Sequence, residues 1–241
     1  MIVINKMNII KKKFNRLLNS RRVLYLIKFY HKIFGEKNIG SLNFDFVNGP
    51  HRAEIIQWFI KIKNYKSYLE IGCFSNEVFN IINCKKKIGV DPVSGGNRKM
   101  TSDKFFENNI EKFDCIFIDG LHEYAQVKRD IENSLNFLEP NGVILLHDCL
   151  PSNVYNQAIP RCENNWNGDV WKAFVEFRTK INLDMYTCLA DQGIGVILRR
   201  ENKNILNLSC KDFKRLKFAE YYKNNQEYMN IIKFAELKQI V

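Results

Sequence analysis

Short apolar runs alternate with longer amphipathic segments through the middle of the chain. Four of these runs are mostly apolar and predict buried strands at 67–71, 87–90, 113–118 and 143–146. The segment 124–138 carries apolar residues at helical spacing, with one face for the core. Apolar strands separated by helices indicate a parallel sheet that is covered on both faces.

The same patterns predict the remaining elements. We expect helices at 52–63, 75–83, 103–109 and 169–180, a short strand at 99–102, and two closing strands at 185–189 and 193–198. The chain is therefore divided into a basic helical extension over 1–49, an α/β domain over 50–200 and a helical C-terminal extension over 201–241.

Polar residues stand at the carboxyl end of each of the four buried strands. They are Glu70, Asp91, Asp119 and the pair His147–Asp148. A single acid at such a place is commonly a turn residue or a helix cap. In open parallel sheets, however, the carboxyl ends share one edge, and ligands bind there. Four polar strand ends together predict one ligand site.

The turn after the first strand restricts the choice of ligand. It reads Gly72-Cys73-Phe74-Ser75-Asn76-Glu77, with one glycine where a dinucleotide-binding turn needs three. Glu77 would also place a negative charge beside a pyrophosphate. A cofactor that lacks phosphates and carries a cationic sulfonium suits this acidic edge better, with Asp91 placed to hold its ribose hydroxyls.

Charge and cysteine content limit the partners and the compartment. The formal net charge of +11 divides into +9 for residues 1–37, −1 for 38–200 and +3 for 201–241. A near-neutral central domain argues against DNA and disfavours RNA as a partner. The basic N-terminus suits peripheral contact with an anionic membrane, contact with a protein partner, or an ordinary solvated face. Seven scattered cysteines and no signal-peptide pattern predict a cytoplasmic protein.

Several segments together resemble one family of enzymes. These are Tyr68-Leu69-Glu70-Ile71-Gly72, Gly89-Val90-Asp91-Pro92, 100–106, 117–124, 146–151 and Gly168-Asp169-Val170-Trp171-Lys172. In order and spacing they resemble class I S-adenosylmethionine-dependent methyltransferases, especially the macrocin-type O-methyltransferases found with surface-glycan and natural-product biosynthesis. The resemblance covers roughly residues 50–200. It implies a Rossmann-like, doubly wound, mostly parallel sheet of seven strands whose last strand is antiparallel.

The resemblance also implies which residues bind the cofactor. Contacts with S-adenosylmethionine are expected from Glu70, Gly72, Cys73, Asp91, Ser102, Asp103 and Asp119. Asp91 is expected to accept hydrogen bonds from the two ribose hydroxyls, for which a carboxylate is a suitable acceptor. Ser102 and Asp103 correspond to the adenine contacts, with a helix N-cap as the alternative. Many relatives carry a second glycine where Phe74 to Asn76 stand here.

Methyl transfer to an alcohol requires a group that takes the hydroxyl proton. His147, beside Asp148, and His122 are the candidates, because the pKa of imidazole is near neutral. In a competing mechanism, Asp119 and Asp148 hold Mg²⁺, which polarises the hydroxyl. Cys149 stands where such enzymes usually have a further oxygen ligand, and a thiol is a poor ligand for Mg²⁺.

The sequence thus predicts an S-adenosylmethionine-dependent O-methyltransferase that modifies a sugar hydroxyl of a glycan or a glycosylated metabolite. An RNA methyltransferase is an alternative, with the basic N-terminus guiding RNA. A non-catalytic binding protein on the same fold is another. The acceptor's identity, the need for a metal and assembly into a homo-oligomer are left open by the residues.

Overall fold

A computed structural model describes residues 20–241 of the chain. Its sheet has seven strands in the order β2-β1-β3-β4-β6-β5-β7. The strands are β1 (Ser67–Ile71), β2 (Lys86–Val90), β3 (Phe113–Ile118), β4 (Leu138–Leu146), β5 (Asp184–Cys188), β6 (Ile194–Leu198) and β7 (Ile231–Ile232). Only β6 runs antiparallel to its neighbours, and it is the last strand of residues 50–200. The predicted Rossmann-like, mostly parallel sheet is therefore confirmed.

Helices cover both faces of this sheet. The helices of residues 20–241 are α1 (Arg21–Phe34), α2 (Arg52–Ile62), α3 (Glu77–Ile81), α4 (Ser102–Asn108), α5 (Tyr124–Asn136), α6 (Val170–Arg178), α7 (Phe218–Met229) and α8 (Phe234–Ile240), with a 3-10 turn at Phe213–Arg215. The long predicted helices therefore form within a few residues of their expected bounds. Helix α1 packs on the segment after β4 and not on the sheet.

Successive residues of the central strands enter opposite halves of the core. In β3, Ile116 and Ile118 pack with the α5, α6 and α7 side, whereas Cys115 and Phe117 pack with the α2 and α8 side. Each of these four residues is almost fully buried. This two-sided burial explains why the strands are apolar throughout instead of alternating.

Two short elements differ from the prediction. The strand expected at 99–102 is absent, and a single bridge between Val90 and Arg98 stands in its place. Thr101 caps helix α4 instead, its Oγ1 accepting from the Lys104 N–H at 3.3 Å, because a Thr-Ser-Asp sequence is a strong helix start. The helix expected at 75–83 is shortened to Glu77–Ile81, since Asn76 has a φ of 65°.

The C-terminal segment contributes to the sheet and to both halves of the core. Strand β7 pairs in parallel with β5, with Thr187 opposite Ile231. Tyr221 of α7 and Leu237 of α8 are both fully buried, one on each side of the sheet. The division into 1–49, 50–200 and 201–241 stays a prediction, and residues 1–19 lie outside the described part.

Two further findings bear on the expected class of protein. All seven cysteines are free thiols, as predicted. Among residues 20–241, no helix combines the length and the apolar character that a transmembrane span requires.

Candidate active site

The carboxyl ends of β1, β3 and β4 are held in line by hydrogen bonds that continue beyond the strands. The Asp119 N–H donates to the Ile71 carbonyl oxygen at 2.8 Å, and the His147 N–H donates to the Ile118 carbonyl oxygen at 3.0 Å. These bonds bring Asp119 and His147 side by side at the edge of the sheet where the sequence predicted a ligand site.

Two histidines and two aspartates form one cluster there. His147 Nδ1 lies 3.2 Å from Asp119 Oδ1 and 3.0 Å from Asp148 Oδ2. His122 lies on the other side of the same acids, with Nδ1 3.2 Å from Asp148 Oδ2 and Nε2 3.4 Å from Asp119 Oδ1. The predicted catalytic residues and the predicted metal ligands are therefore the same group of side chains.

Mutual pairing governs the charges in this cluster. Burial alone would lower the pKa of His147, but the charges of Asp148 and Asp119 raise it well above its usual value. Burial would likewise lower the pKa of His122, but the same two acids raise it above its usual value. For Asp119, burial would raise the pKa, but the two imidazoles hold it well below its usual value. The cluster thus favours imidazolium–carboxylate pairs.

A carbonyl oxygen fixes the tautomer of His122. The ring Nδ1 lies 3.1 Å from the Trp166 carbonyl oxygen, which can only accept, so Nδ1 carries the proton in the neutral ring. Nε2 faces Asp119 Oδ1 at 3.4 Å and donates to it while the ring is protonated, whereas in the neutral ring Nε2 holds the lone pair. The imidazole also stacks on the Trp166 indole, with ring centroids 5.1 Å apart and planes 21° apart. His122 is therefore oriented with its basic nitrogen on the side of Asp119.

The two histidines differ in accessibility. The His147 side chain is 5% exposed, and its Nε2 lies 3.2 Å from Arg52 Nη1 and 3.5 Å from Asp191 Oδ1. The His122 side chain is 19% exposed. The geometry therefore favours His122 as the group that meets a substrate, with His147 behind it. The sequence favoured His147 because it stands beside Asp148. That position says nothing about how deeply the side chain is buried.

Arg52 and Asp191 belong to the site and were missed by the sequence analysis. The Arg52 backbone N–H donates to Asp191 Oδ2 at 2.9 Å, and Nη1 donates to both carboxylate oxygens at 3.1 and 3.2 Å. Burial would raise the pKa of Asp191, but His147 and Arg52 hold it well below its usual value. The antiparallel β6 offered a signal, because its amino end adjoins the carboxyl end of β4 and brings the preceding turn to this edge.

Asp148 is held in place by a third missed residue, Asn167. Its backbone has a φ of 61°, in the left-handed region. Asn167, which is 1% exposed, donates from Nδ2 to Asp148 Oδ1 at 3.0 Å. One carboxylate oxygen is thus occupied by the amide and the other by the histidines. Asn167 was hidden from the sequence analysis because it lies in an irregular loop.

Asp91 braces the loops at the cofactor side of the edge. Oδ1 accepts from the Val93 and Ser94 N–H groups at 2.8 Å each, and Oδ2 accepts from the Phe74 N–H at 2.9 Å. A carboxylate offers about four lone-pair sites, so about one stays open. Asp91 could accept one ribose hydroxyl as it stands, and a second only if a backbone donor turned away. Its predicted role therefore stays a prediction.

The other predicted cofactor residues are held by protein partners. Cys73 is buried, and its thiol donates to the Glu70 carbonyl oxygen at 3.7 Å. The Ser102 hydroxyl and the Asp103 carboxylate each accept from Gln126 Nε2 at 3.2 Å. The helix cap is Thr101, so neither Ser102 nor Asp103 has the alternative role of N-cap. Their contacts with a cofactor remain predictions.

Glu70 is a buried acid with a strongly shifted pKa. It is 2% exposed, and Oε2 accepts from the Tyr68 hydroxyl at 2.6 Å. Burial raises the pKa of Glu70 to about 7 from 4.5, and the charge of Asp119 adds to the rise. Gly72 follows it with a φ of 90°, which a residue with a Cβ rarely adopts.

We expect Glu70→Gln to flatten the pH dependence of stability. The folded state binds the Glu70 proton more tightly than the unfolded state, so its contribution is full below pH 4.5 and is lost as pH rises through about 7. The wild type should therefore lose about 3 kcal/mol more than the variant over this range. Urea unfolding across the range measures it, with the exposed Glu107→Gln as control. If the free energy of unfolding depends on pH in the same way for the wild type and Glu70→Gln, the raised pKa of Glu70 is contradicted.

The cluster is also suited to a divalent cation. One ligand atom each from Asp119, His122 and Asp148 lie within 4.8 Å of one another. Carboxylate oxygens suit Mg²⁺, and the added imidazole nitrogen suits Mn²⁺, Fe²⁺ or Zn²⁺ as well. The Cys149 thiol instead donates to the Leu146 carbonyl oxygen at 3.5 Å. The donor set thus fits a metal without the thiol.

A family model described as "Methyltransferase domain" matches residues 89–149. This stretch runs from the end of β2 past the end of β4 and carries Asp91, Asp119, His122, His147 and Asp148. The match covers about a quarter of the chain and shows that this segment is similar to methyltransferase-domain sequences. A search of the curated proteins found no match.

Solved structures with partial similarity to this chain include three bacterial or fungal methyltransferases. The Bacillus cereus O-methyltransferase in complex with SAH is 13% identical, with 64% of this chain and 83% of that chain covered and a TM-score of 0.44. SAH-bound PaMTH1 from Podospora anserina is 15% identical, with 62% of this chain and 78% of that chain covered and a TM-score of 0.46. The O-methyltransferase TomG from Streptomyces achromogenes, in complex with SAM, is 10% identical, with 63% of this chain and 79% of that chain covered and a TM-score of 0.44. With TM-scores below 0.5, these likenesses support no conclusion about this chain.

Proposed function

We propose that the protein is an S-adenosylmethionine-dependent O-methyltransferase that acts on a sugar hydroxyl of a glycan or a glycosylated metabolite. The observation that carries the proposal is the cluster of Asp119, His122, His147 and Asp148 at the carboxyl edge of the sheet, inside the segment that matches the methyltransferase model. The sugar is proposed from the sequence resemblance to macrocin-type enzymes.

The acidic edge fits the proposed cofactor. When bound, S-adenosylmethionine supplies an activated methyl carbon for in-line displacement. Glu70, Gly72 and Asp91 would hold it, with Asp91 offering its open lone pair to a ribose hydroxyl. Arg52 Nε is buried, has no hydrogen-bond partner within residues 20–241, and lies 3.9 Å from Asp119 Oδ2. This N–H is therefore available to an acceptor atom of a ligand.

His122 is the proposed acceptor of the hydroxyl proton. This role requires the neutral form of His122, in which the Trp166 carbonyl oxygen keeps the proton on Nδ1 and Nε2 holds the lone pair. Because the pKa of His122 is raised, the rate should increase with pH as the ring loses its proton. Asp119 and Asp148 stabilise the imidazolium that forms when Nε2 takes the proton. His147, paired with the same acids and braced by Arg52 and Asp191, fixes their positions. Alignment of the two reactants then supplies much of the remaining acceleration.

A metal-assisted mechanism is the second candidate. The spacing of the Asp119, His122 and Asp148 ligand atoms supports it. A divalent cation there would lower the pKa of the acceptor hydroxyl by polarising it. His122 would then act as a ligand and not as the base, so the two mechanisms exclude each other at this residue.

The segment after β4 would form the wall of the acceptor site. Trp166 is half-buried, and Arg161 lies with its guanidinium carbon 6.0 Å from the indole centroid. Aromatic faces stack on sugar rings, which favours a sugar here. Trp171, in contrast, is fully buried and donates from Nε1 to Gln157 at 2.7 Å, so it belongs to the core.

The alternatives have weaker support. An RNA methyltransferase would need basic charge on the central domain, whose formal charge is −1. A non-catalytic binding protein would not need a buried cluster of oppositely charged groups, since burying charges is costly. The cytoplasmic location and a homo-oligomer stay predictions.

Labelled S-adenosylmethionine tests the activity directly. The protein is incubated with nucleotide-sugars, glycans, glycosylated metabolites and RNA, and transfer of the methyl label to each is scored. We expect label on a sugar hydroxyl and an equal rate in excess EDTA. Loss of transfer in EDTA with recovery on adding Mg²⁺ or Mn²⁺ would select the metal mechanism. Label on RNA alone, or no binding of S-adenosylmethionine by calorimetry, would overturn the proposal.

A further inference from the structure

We propose that the outer face of helix α1 docks on an anionic lipid bilayer. Six large apolar side chains of this helix are more than half exposed, although the opposite face of the helix is already packed on the protein. The proposal concerns a surface outside the candidate active site and does not depend on methyl transfer.

The inner face of α1 is anchored to the segment after β4. Leu24 is 6% exposed and is therefore buried against the protein. Lys28 Nζ forms an ion pair with Glu163 at 2.5 Å and lies 4.7 Å above the Tyr155 ring. His31 Nε2 is 3.0 Å from the Pro160 carbonyl oxygen. These contacts fix which side of the helix faces away from the protein.

The outer face is a continuous apolar stripe. Its members are Tyr25 (70% exposed), Leu26 (64%), Phe29 (54%), Tyr30 (54%), Ile33 (55%) and Phe34 (71%). Their spacing of three and four residues places them on one side of the helix. Single exposed apolar residues are ordinary, but a contiguous patch of this kind marks an interaction surface.

The charge around the stripe favours an anionic partner. Helix α1 contains no acidic residue, and Arg21, Arg22 and Lys32 are exposed beside the stripe. In the sequence, residues 1–37 carry a net +9. Two copies of such a surface would repel each other, which disfavours a dimer through this face. Basic residues beside an apolar face are instead the pattern of helices that lie in the interface of anionic membranes.

The composition of the stripe separates a bilayer from RNA. Single-stranded nucleic acid is bound by aromatic rings with cations close to the phosphates. Leu26 and Ile33 are aliphatic and lie near the middle of the stripe, where they offer no stacking surface. Acyl chains accept both aliphatic and aromatic groups, with tyrosines at the headgroup level.

Vesicle co-sedimentation of the full chain tests the docking. The probes are vesicles of phosphatidylcholine alone and of phosphatidylcholine with phosphatidylglycerol. We expect binding to the mixed vesicles, weaker binding to phosphatidylcholine alone, and weakening of the interaction by salt. The variant Leu26→Gln/Phe29→Gln/Ile33→Gln should bind the mixed vesicles about 100-fold less tightly, since three apolar side chains no longer enter the bilayer.

A matched control separates this effect from a general loss of exposed apolar surface. Ile81→Gln/Ile110→Gln/Ile181→Gln changes three isoleucines that are 63%, 93% and 70% exposed outside α1, and should bind as the wild type does. Equal thermal melting of both variants shows that each is folded. The proposal fails if the α1 variant binds like the wild type, if phosphatidylglycerol makes no difference, or if the wild type ignores both vesicles. It also fails if the α1 substitutions instead abolish dimerisation or RNA binding.

Discussion

The variant His122→Asn is expected to lose about 1,000-fold in turnover, while its affinity for S-adenosylmethionine changes little. Asparagine can donate from its amide to the Trp166 carbonyl oxygen, as Nδ1 of His122 does at 3.1 Å. It offers no basic group in the place of Nε2. The substitution therefore preserves the local hydrogen bond and removes the proposed proton acceptor or metal ligand.

The measurement compares kcat, KM and the calorimetric Kd for the cofactor, using the acceptor found by label transfer. His31→Asn is the matched control, because His31 lies on α1, outside the candidate active site, and its ring nitrogen likewise lies 3.0 Å from a carbonyl oxygen, that of Pro160. It should leave kcat unchanged. A His122→Asn enzyme with near wild-type kcat would show that neither proposed mechanism uses this side chain. A parallel fall in cofactor affinity and melting temperature would mean that His122 is structural.

The strand ends of the site could be predicted from local sequence. Each buried strand is a run of apolar residues that stops at a polar one, and a parallel sheet places all such ends at one edge. Asp119 and His147 were found in this way, and backbone hydrogen bonds continuing from β1 to β3 and from β3 to β4 align them. This part of the site depends only on the spacing of apolar runs and polar residues along the chain, which can be read directly from the sequence.

The contacts across long stretches of chain could not be predicted. Arg52 and Asp191 are 139 residues apart, and each reads as an ordinary helix-start or turn residue. Their pairing depends on the position of the β5–β6 turn, which the sheet order sets. The edge strand β7 was missed for a similar reason, since Ile231–Ile232 is too short to give a pattern.

Depth within the site was also beyond the sequence. His147 and His122 both follow strand ends, and the sequence favoured His147 only because it stands beside Asp148. Their exposed fractions of 5% and 19% are set by the packing of Arg52, Asp191 and Trp166 around them. These three residues come from distant parts of the chain, and the choice of proton acceptor follows from them.

Gly72→Ala is expected to lower the free energy of unfolding by about 4 kcal/mol. A Cβ at this position would lie 2.0 Å from the Asp119 carbonyl oxygen and 2.5 Å from its carbonyl carbon, and both atoms are backbone. The φ of 90° adds strain for any residue with a Cβ. Relief requires the ends of β1 and β3 to separate, which moves the Asp119 carboxylate away from the histidines.

Gly120→Ala is the control for Gly72→Ala, because the two glycines are close to each other. A Cβ at Gly120 would have Ile71 Cγ2 at 3.4 Å as its nearest neighbour, and its φ is not in the left-handed region. Calorimetric melting should show a fall of roughly 10 °C for Gly72→Ala and little change for Gly120→Ala. Equal melting temperatures would mean that the ends of β1 and β3 can separate at little cost. The rigid placement of Asp119 beside the histidines would then be contradicted.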